Sequence, residues 1–359
     1  MEPVYFDCHS LLKIRAPGIP GKLNQLLCRE LGRFVTKHLG SPARADIVME
    51  PVANIPEPAA FSHHMASRFG FRVIHSRGSV AAVFEHRGTP DVMVVFSDPV
   101  KIFYRDRIGI ERRVYAMVLF SMMRVLNKKN SLLCHGAVVR HHKNAFLLAG
   151  PRGTGKTMLV LSLLRRGWDY LSDDKFMLRD NTAHIFQPFI VLRGHHFSAL
   201  PWLGALDPGY DGFARNARRQ TRIQEQITRF LPRKWLPSLD RFLNPCIRVG
   251  ADAFSRQTRI LDSVKLSAGV LLCHGSQFTA ARVSRGAFLN GFGLIQQMAA
   301  REFSDLEKMI NYHDPGLGTD AGVILDQNMA ADTFVKITLP PDKRPDAMAT
   351  EVAKCLEQL

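Results

Sequence analysis

The chain lacks paired cysteines. Its six cysteines, Cys8, Cys28, Cys134, Cys246, Cys273 and Cys355, stand singly among 359 residues, with no C-x-x-C spacing. Neither a disulfide framework nor a zinc ribbon is predicted from that pattern. Long apolar runs are also missing: "AMVLFSMM" stops at Arg124, far short of the ~20 residues that a spanning helix needs. The opening "MEPVYFDCHS" carries acidic residues where an export signal would place positive charge and then an apolar core. These features lead to the expectation of a cytoplasmic protein with reduced thiols and no membrane insertion. The pairs His63-His64, His141-His142 and His195-His196 are adjacent. In a strand each pair would point to opposite faces, so they read as turn residues before metal ligands. Negative charge is the scarcer sign. With 32 Asp and Glu against 48 Lys and Arg the net charge is +16, which implies an acidic partner: nucleotide, acidic peptide, nucleic acid or an anionic surface.

What is present sorts into two parts. "GKLNQLLCRELGRFVTKHLG" sets Leu23, Leu26, Leu27, Leu31, Phe34, Val35 and Leu39 on one face, which predicts a helix ending at Gly40. Residues 42–70 read as irregular. The runs "FRVIH", "SVAAVFEH" and "DVMVVFS", separated by turn-like "SRG" and "RGTPD", predict an antiparallel meander. The helix "ERRVYAMVLFSMMRVLN" leads to Lys128-Lys129-Asn130, where the domain boundary is placed. Residues 1–130 thus form a smaller α+β domain without recognisable chemistry, and 131–359 form the second domain.

The second domain contains "GPRGTGKT" at 150–157, matching G-x-x-x-x-G-K-[ST]. "NAFLLA" before it reads as a strand, "TMLVLSLLRR" after it as a helix, and Gly167 as that helix's stop. Strand, glycine loop and helix in that order are the setting of a phosphate-binding loop. Gly150, Pro151, Arg152, Gly153, Thr154, Gly155, Lys156, Thr157 and Met158 are the nucleotide-side candidates. The backbone N–H groups of 152–157 would surround a β-phosphate, Lys156 would reach the β- and γ-phosphates, and the Thr157 hydroxyl would ligate Mg²⁺.

Two further features follow from geometry. "HGAVVRHHKNAFLLAG" is symmetric about His142-Lys143; a tight hairpin there pairs residues summing to 285 and sets His135 opposite Gly150. After the helix, "DYLS" reads as a parallel strand ending in Asp173-Asp174, at the sheet edge that carries the glycine loop. Two carboxylates there can divide the work, one holding the metal through water and the other taking a proton from an incoming hydroxyl.

"CHG…GPRGTGKT…RRGWDYLSDD" resembles the catalytic domain of HPr kinase/phosphorylase and its wider relatives. The resemblance covers about 135–200 well, the later strand "VKLSAGVLLC" loosely and 1–130 not at all. It implies an α/β fold with a P-loop kinase core of the HPr kinase C-terminal-domain type. It also implies ATP and Mg²⁺, with His135 and Lys156 in the active site, Thr157 as a magnesium ligand, Asp174 as proton acceptor and Asp173 as its metal-side neighbour. "VLRG" looks like the family's E-x-R-G segment and makes Arg193 a phosphate-side candidate. Met158 and Val191 stand where the family has glutamates. Those departures predict forward transfer without the phosphorolytic return, and an acceptor other than HPr. The chain is then similar to the diverged HPr-kinase-like enzymes, some of which phosphorylate a serine on a precursor peptide.

The stretch 213–242 carries eight Arg and Lys against Glu225 and Asp240, with Phe230, Trp235 and Phe242 interleaved. It reads as a basic helical insertion within about 205–245. Arg218, Arg219 and Arg222 are the candidate contacts for an acidic peptide or small-protein acceptor. The reading is therefore an ATP-dependent serine kinase, open to homo-oligomerisation. Its alternatives are a nucleotide switch or ATPase working with nucleic acid, a small-molecule kinase, and a nucleotide-binding regulatory domain with decayed catalysis.

Overall fold

The computed structural model describes residues 3–18, 22–36, 45–56, 63–66, 71–76, 79–86, 89–107, 109–206, 210, 212–213, 215–216, 246–313, 321–341 and 343–359. It is a mixed α/β protein with several sheets. The chain divides into two compact units. One comprises Met1–Cys134, Met177–Asp180 and Gly293–Ala330; the other comprises His135–Phe176, Asn181–Phe292 and Ala331–Leu359.

In the first unit, β1 (Val4–Cys8), β2 (Leu12–Ala16), α1 (Lys22–Leu31), β3 (Val35–Thr36), β4 (Ile47–Pro51) and β5 (His63–Ala66) come first. They are followed by β6 (Phe71–Ser76), β7 (Ser79–His86), β8 (Thr89–Val95), β9 (Val100–Tyr104) and α2 (Glu111–Lys128). The strands form one nine-stranded sheet in the order β3-β1-β2-β4-β9-β8-β7-β6-β5. Strands β6, β7 and β8 are the antiparallel meander that the alternating runs predicted. The helix expected to reach Gly40 stops at Leu31 instead. Gly32 opens a short 3₁₀ turn, and β-branched Val35 and Thr36 pair with β1, a conformation their stiff side chains favour. The stretch expected to be irregular contributes β4 and β5, with β4 seated between β2 and β9.

The second unit is built on a six-stranded sheet. Its β11 (Ala137–His141) and β12 (Asn144–Ala149) form a hairpin whose pairs run from Ala137↔Leu148 to His141↔Asn144, the expected register. His142 turns it with φ +55°. After β12 the glycine loop leads into α3 (Lys156–Leu164), closed by Gly167 at φ +83°. β13 (Asp169–Ser172) pairs antiparallel with β11, so it runs in the direction of β12, one strand removed. β19 (Ala268–His274) and β21 (Thr333–Leu339) add to β12 in parallel, and β20 (Thr279–Arg282) closes the edge in reverse. Strands β13, β12, β19 and β21 therefore all end at one edge of the sheet, the edge where open parallel sheets hold ligands. Between β13 and β19 lie β14 (Lys175–Arg179), β15 (Thr182–Ile185), β16 (Phe189–Arg193), α4 (Gly194–Ala199), β17 (Cys246–Gly250) and β18 (Ser263–Lys265). After β20 come α5 (Arg285–Ala299), whose second half belongs to the first unit, and α6 (Arg301–His313) and α7 (Ala321–Asn328), which belong to the first unit entirely; α8 (Pro345–Glu357) follows β21 in the second unit.

The core of this unit lies between the sheet and α3. Leu159, Val160, Leu163 and Leu164 meet Phe146, Leu148, Trp168 and Tyr170, all buried. The five apolar residues of β12 are buried as well, as expected for a strand covered on both faces. Helix α8 packs on α3, with the Ser162 hydroxyl donating to Asp346 Oδ1 at 2.7 Å. Most of the basic stretch, including Arg218, Arg219 and Arg222, lies outside the described residues.

Candidate functional site

The glycine loop has its shape for steric reasons. A Cβ on Gly150 would stand 2.8 Å from the Leu272 carbonyl oxygen of β19 and 2.8 Å from Thr154 Oγ1, so only glycine fits. Gly153 and Gly155 take φ +86° and +80°, a region that costs L-residues and suits glycine. The Thr154 hydroxyl donates to the Pro151 carbonyl at 2.9 Å and pins the loop. Arg152 and Gly153 are exposed at its crest, while Met158 turns back to pack against the core. With no side-chain cap at Gly155, the first N–H groups of α3 meet no capping side chain there. A helix start of this kind attracts anions.

Lys156 is nearly buried. Its ammonium donates to the Gly150 carbonyl at 2.5 Å and the Pro151 carbonyl at 3.2 Å. Burial lowers its pKa, against the opposing pull of Asp173 and Asp174. One residue on, the Thr157 hydroxyl donates to Asp173 Oδ2 at 3.1 Å, which ties the start of α3 to the end of β13.

The two acids are held differently. Burial, reinforced by the neighbouring Asp174 charge, pushes the Asp173 carboxyl up to about 7. Its Oδ1 is buried with no hydrogen-bond partner among the described residues. A buried acceptor without a donor costs free energy that a cation would recover. An oxygen donor set of carboxylate and hydroxyl is what Mg²⁺ selects. Thr157 and Asp173 therefore fit a magnesium ion. Asp174 keeps 47% of its side-chain surface exposed. Its Oδ1 meets His135 Nδ1 at 3.0 Å and its Oδ2 meets Lys175 Nζ at 2.5 Å. Partial burial pushes this carboxyl up, but the His135 hydrogen bond and the Lys175 charge outweigh it and hold it below the usual carboxylate range. The turn itself is fixed by the Gly136 N–H on the Asp174 carbonyl and by the Ser172 hydroxyl on the Lys175 carbonyl.

His135 reaches this set by another route than the hairpin register suggested. The β11–β12 ladder ends at Ala137↔Leu148, and His135 belongs to the separate strand β10 (Leu132–His135). The chain departs from the ladder at Gly136, so the imidazole meets Asp174 and does not lie opposite Gly150.

Arg193 ends β16 opposite Cys246, and its backbone N–H donates to His196 Nδ1 at 3.0 Å. Burial, with the nearby His195 and Arg193 charges, pushes the His196 imidazole down to about 3, which keeps it a neutral acceptor. Val191 stands opposite Arg248 in the same ribbon. Lys175 is the residue that sequence reasoning passed over. The signal was a lysine directly after the acid pair, in "SDDK".

No family model matches the chain, and no curated protein does. Among solved structures it is similar to the Hpr(Ser) kinase/phosphatase from Coxiella burnetii, over 63% of this chain and 97% of that one, at 11% identity and a TM-score of 0.26. A likeness of that size leaves the site to be read from its own geometry. No helix among the described residues is long and apolar enough to cross a membrane.

Proposed function

We propose that the second unit is an ATP-dependent kinase that transfers the γ-phosphoryl group to a serine hydroxyl of an acidic peptide or small protein in the cytoplasm. One observation carries the reading. At the common end of β12 and β13, a glycine loop and its lysine adjoin a hydroxyl–carboxylate pair, Thr157–Asp173, and a second carboxylate, Asp174, held by an imidazole. A nucleotide switch has no use for the second carboxylate, whereas hydroxyl transfer does.

In this reading residues 150–155 form the phosphate cradle, and Lys156 turns from the loop carbonyls to the phosphates. Thr157 and Asp173 would hold Mg²⁺, which would supply charge neutralisation at the phosphates. Asp174 takes the proton of the acceptor hydroxyl as its oxygen bonds to the γ-phosphorus and the bond to ADP breaks. His135 and Lys175 fix the rotamer of Asp174, so its lone pair is aimed before the acceptor arrives. Arg193 and the basic stretch with Arg218, Arg219 and Arg222 supply the acceptor side, consistent with the net charge of +16. Val191 in place of a second carboxylate favours forward transfer over phosphorolysis.

The test is transfer of labelled γ-phosphate from ATP to serine-containing acidic peptides, by wild type and by Lys156→Ala. Loss of transfer in the variant, with an unchanged circular dichroism spectrum, is the expected result. Equal turnover by both proteins refutes the reading.

A further inference from the structure

The acid pair occupies only one side of the glycine loop, and the sheet order assigns the other side. From β12, the β11–β13 side leads to Asp173 and Asp174, and the opposite side leads to β19 and then β21. A triphosphate has two ends. If the γ end faces Asp174, the α-phosphate and nucleoside must leave toward β19 and β21.

Those two strands end beside the loop. Ala149 pairs with Leu271, and Gly150 lies so close to Leu272 that a Cβ would touch its carbonyl. Two residues beyond Leu272 the chain reaches His274, which is exposed. It is followed by Gly275, where a Cβ would stand 2.2 Å from Thr338 Cγ2, so this segment lies flush against β21. His274 itself pairs with Leu339, the last residue of β21. Helix α8 begins soon after, at Pro345.

Helices α3 and α8 run parallel. Ser162 meets Asp346 and Arg166 meets Thr350, both pairs 184 residues apart. The same offset sets Arg344 level with Val160 (344 − 184 = 160), one turn from Lys156. Arg344 is exposed. An imidazole at the end of β19 and a guanidinium at the start of α8 thus stand on the side of the phosphate loop away from the acids.

We infer that His274 and Arg344 bind the purine base of the nucleotide, stacking on its faces. This rests on the phosphate-loop reading and adds to it the nucleoside half of the site. Aromatic and guanidinium planes suit a purine because each offers a flat π or cationic surface.

Calorimetric titration of wild type and variants with Mg-ATP and with Mg-tripolyphosphate separates the two ideas. His274→Ala and Arg344→Ala should each weaken ATP about five- to tenfold, the lower end of the scale for losing one stacking plane, as suits exposed side chains. Tripolyphosphate binding should stay within about twofold, because it has no base to stack. His274→Phe should retain ATP affinity, and Lys156→Ala should weaken both ligands. Unchanged ATP affinity in both alanine variants overturns the inference and leaves the phosphate loop standing. Equal losses for ATP and tripolyphosphate overturn it too, since they signal a phosphate contact. Failure of wild type to bind either ligand overturns the phosphate-loop reading, and this inference with it.

Discussion

Each unit holds an aspartate with one buried oxygen that has no hydrogen-bond partner among the described residues, and the two differ in what faces the other oxygen. In the first unit Asp91 on β8 is fully buried; its Oδ2 is shared by the guanidinium groups of Arg107 and Arg113. In the second unit Asp173 has only a neutral hydroxyl on Oδ2 and a second carboxylate next in sequence. Two fixed cations compensate the first charge and make it a structural tie between β8 and the entry into α2. Burial of the second carboxyl and the Asp174 charge beside it raise its pKa, and in the proposed reading a metal cation would supply the missing compensation. The same side chain thus differs in its electrostatics according to its partners: Asp91 is held between two cations, whereas Asp173 keeps a raised pKa, the kind of perturbation that accompanies chemical sites.

The largest expected effect comes from the acid beside Asp173. Asp174→Asn keeps the shape and its contact with Lys175 but cannot accept the hydroxyl proton. Single-turnover transfer should fall by roughly 10²–10⁴, the usual contribution of a general base, with Mg-ATP still bound. Normal turnover in that variant removes the base from the mechanism and with it half of the contrast between the units.

Asp91→Asn should do the opposite: leave transfer intact and lower stability. Arg107 and Arg113 keep 41% and 43% of their side-chain surface exposed. Water can therefore take over part of their solvation, and the cost stays at about 1–3 kcal/mol, below that of breaking a fully buried pair. Urea unfolding measures it. A variant as stable as wild type would show that the arginines do not compensate Asp91 in solution.

How much of this could be read from the sequence depended on how local the determinants were. The β11–β12 register followed from the symmetric apolar runs about His142-Lys143, and the glycine loop from its own spacing. The meander of β6, β7 and β8 followed from alternation. The end of α1 did not, because Leu23 to Leu39 keep a helical period through Gly32, and only pairing with β1 draws Val35 and Thr36 into a strand. The partner of His135 was hidden too. Its contact with Asp174 depends on a break at Gly136, which residue spacing along a hairpin does not encode. The roles proposed for Asp173 and Asp174 rest on which neighbours face each carboxylate, and adjacency in "SDD" offers no rule for that.

A smaller effect is expected on the acceptor side. Neutralising Arg218, Arg219 and Arg222 together should raise the acceptor KM about three- to tenfold and flatten its salt dependence, since salt screens charge steering of an acceptor beyond a Debye length of about 8–10 Å. Affinity for ATP should not change. Tight, specific competition by RNA at physiological salt would instead favour a nucleic-acid partner for this stretch.

A last test probes the source of the contrast directly, through pH. The Asp173 carboxyl is raised to about 7 in the fold, above its ordinary value near 3.8. Between those values the folded protein holds a proton that the unfolded chain has lost, so stability should decline as pH rises from about 4 to 7 and then level off. Binding of Mg²⁺ has the reverse dependence, because the metal needs the carboxylate and must displace that proton. Affinity for Mg²⁺ should therefore rise by up to about tenfold between pH 6 and pH 8, because a carboxyl titrating at about 7 goes from about one-tenth to about nine-tenths ionised over that interval. Asp173→Asn should abolish both trends, while Asp91→Asn should leave them in place. Magnesium titrations of the three proteins at the two pH values decide it. A flat profile in wild type would mean that Asp173 is already ionised at pH 6 and that the two acids differ less than their partners suggest.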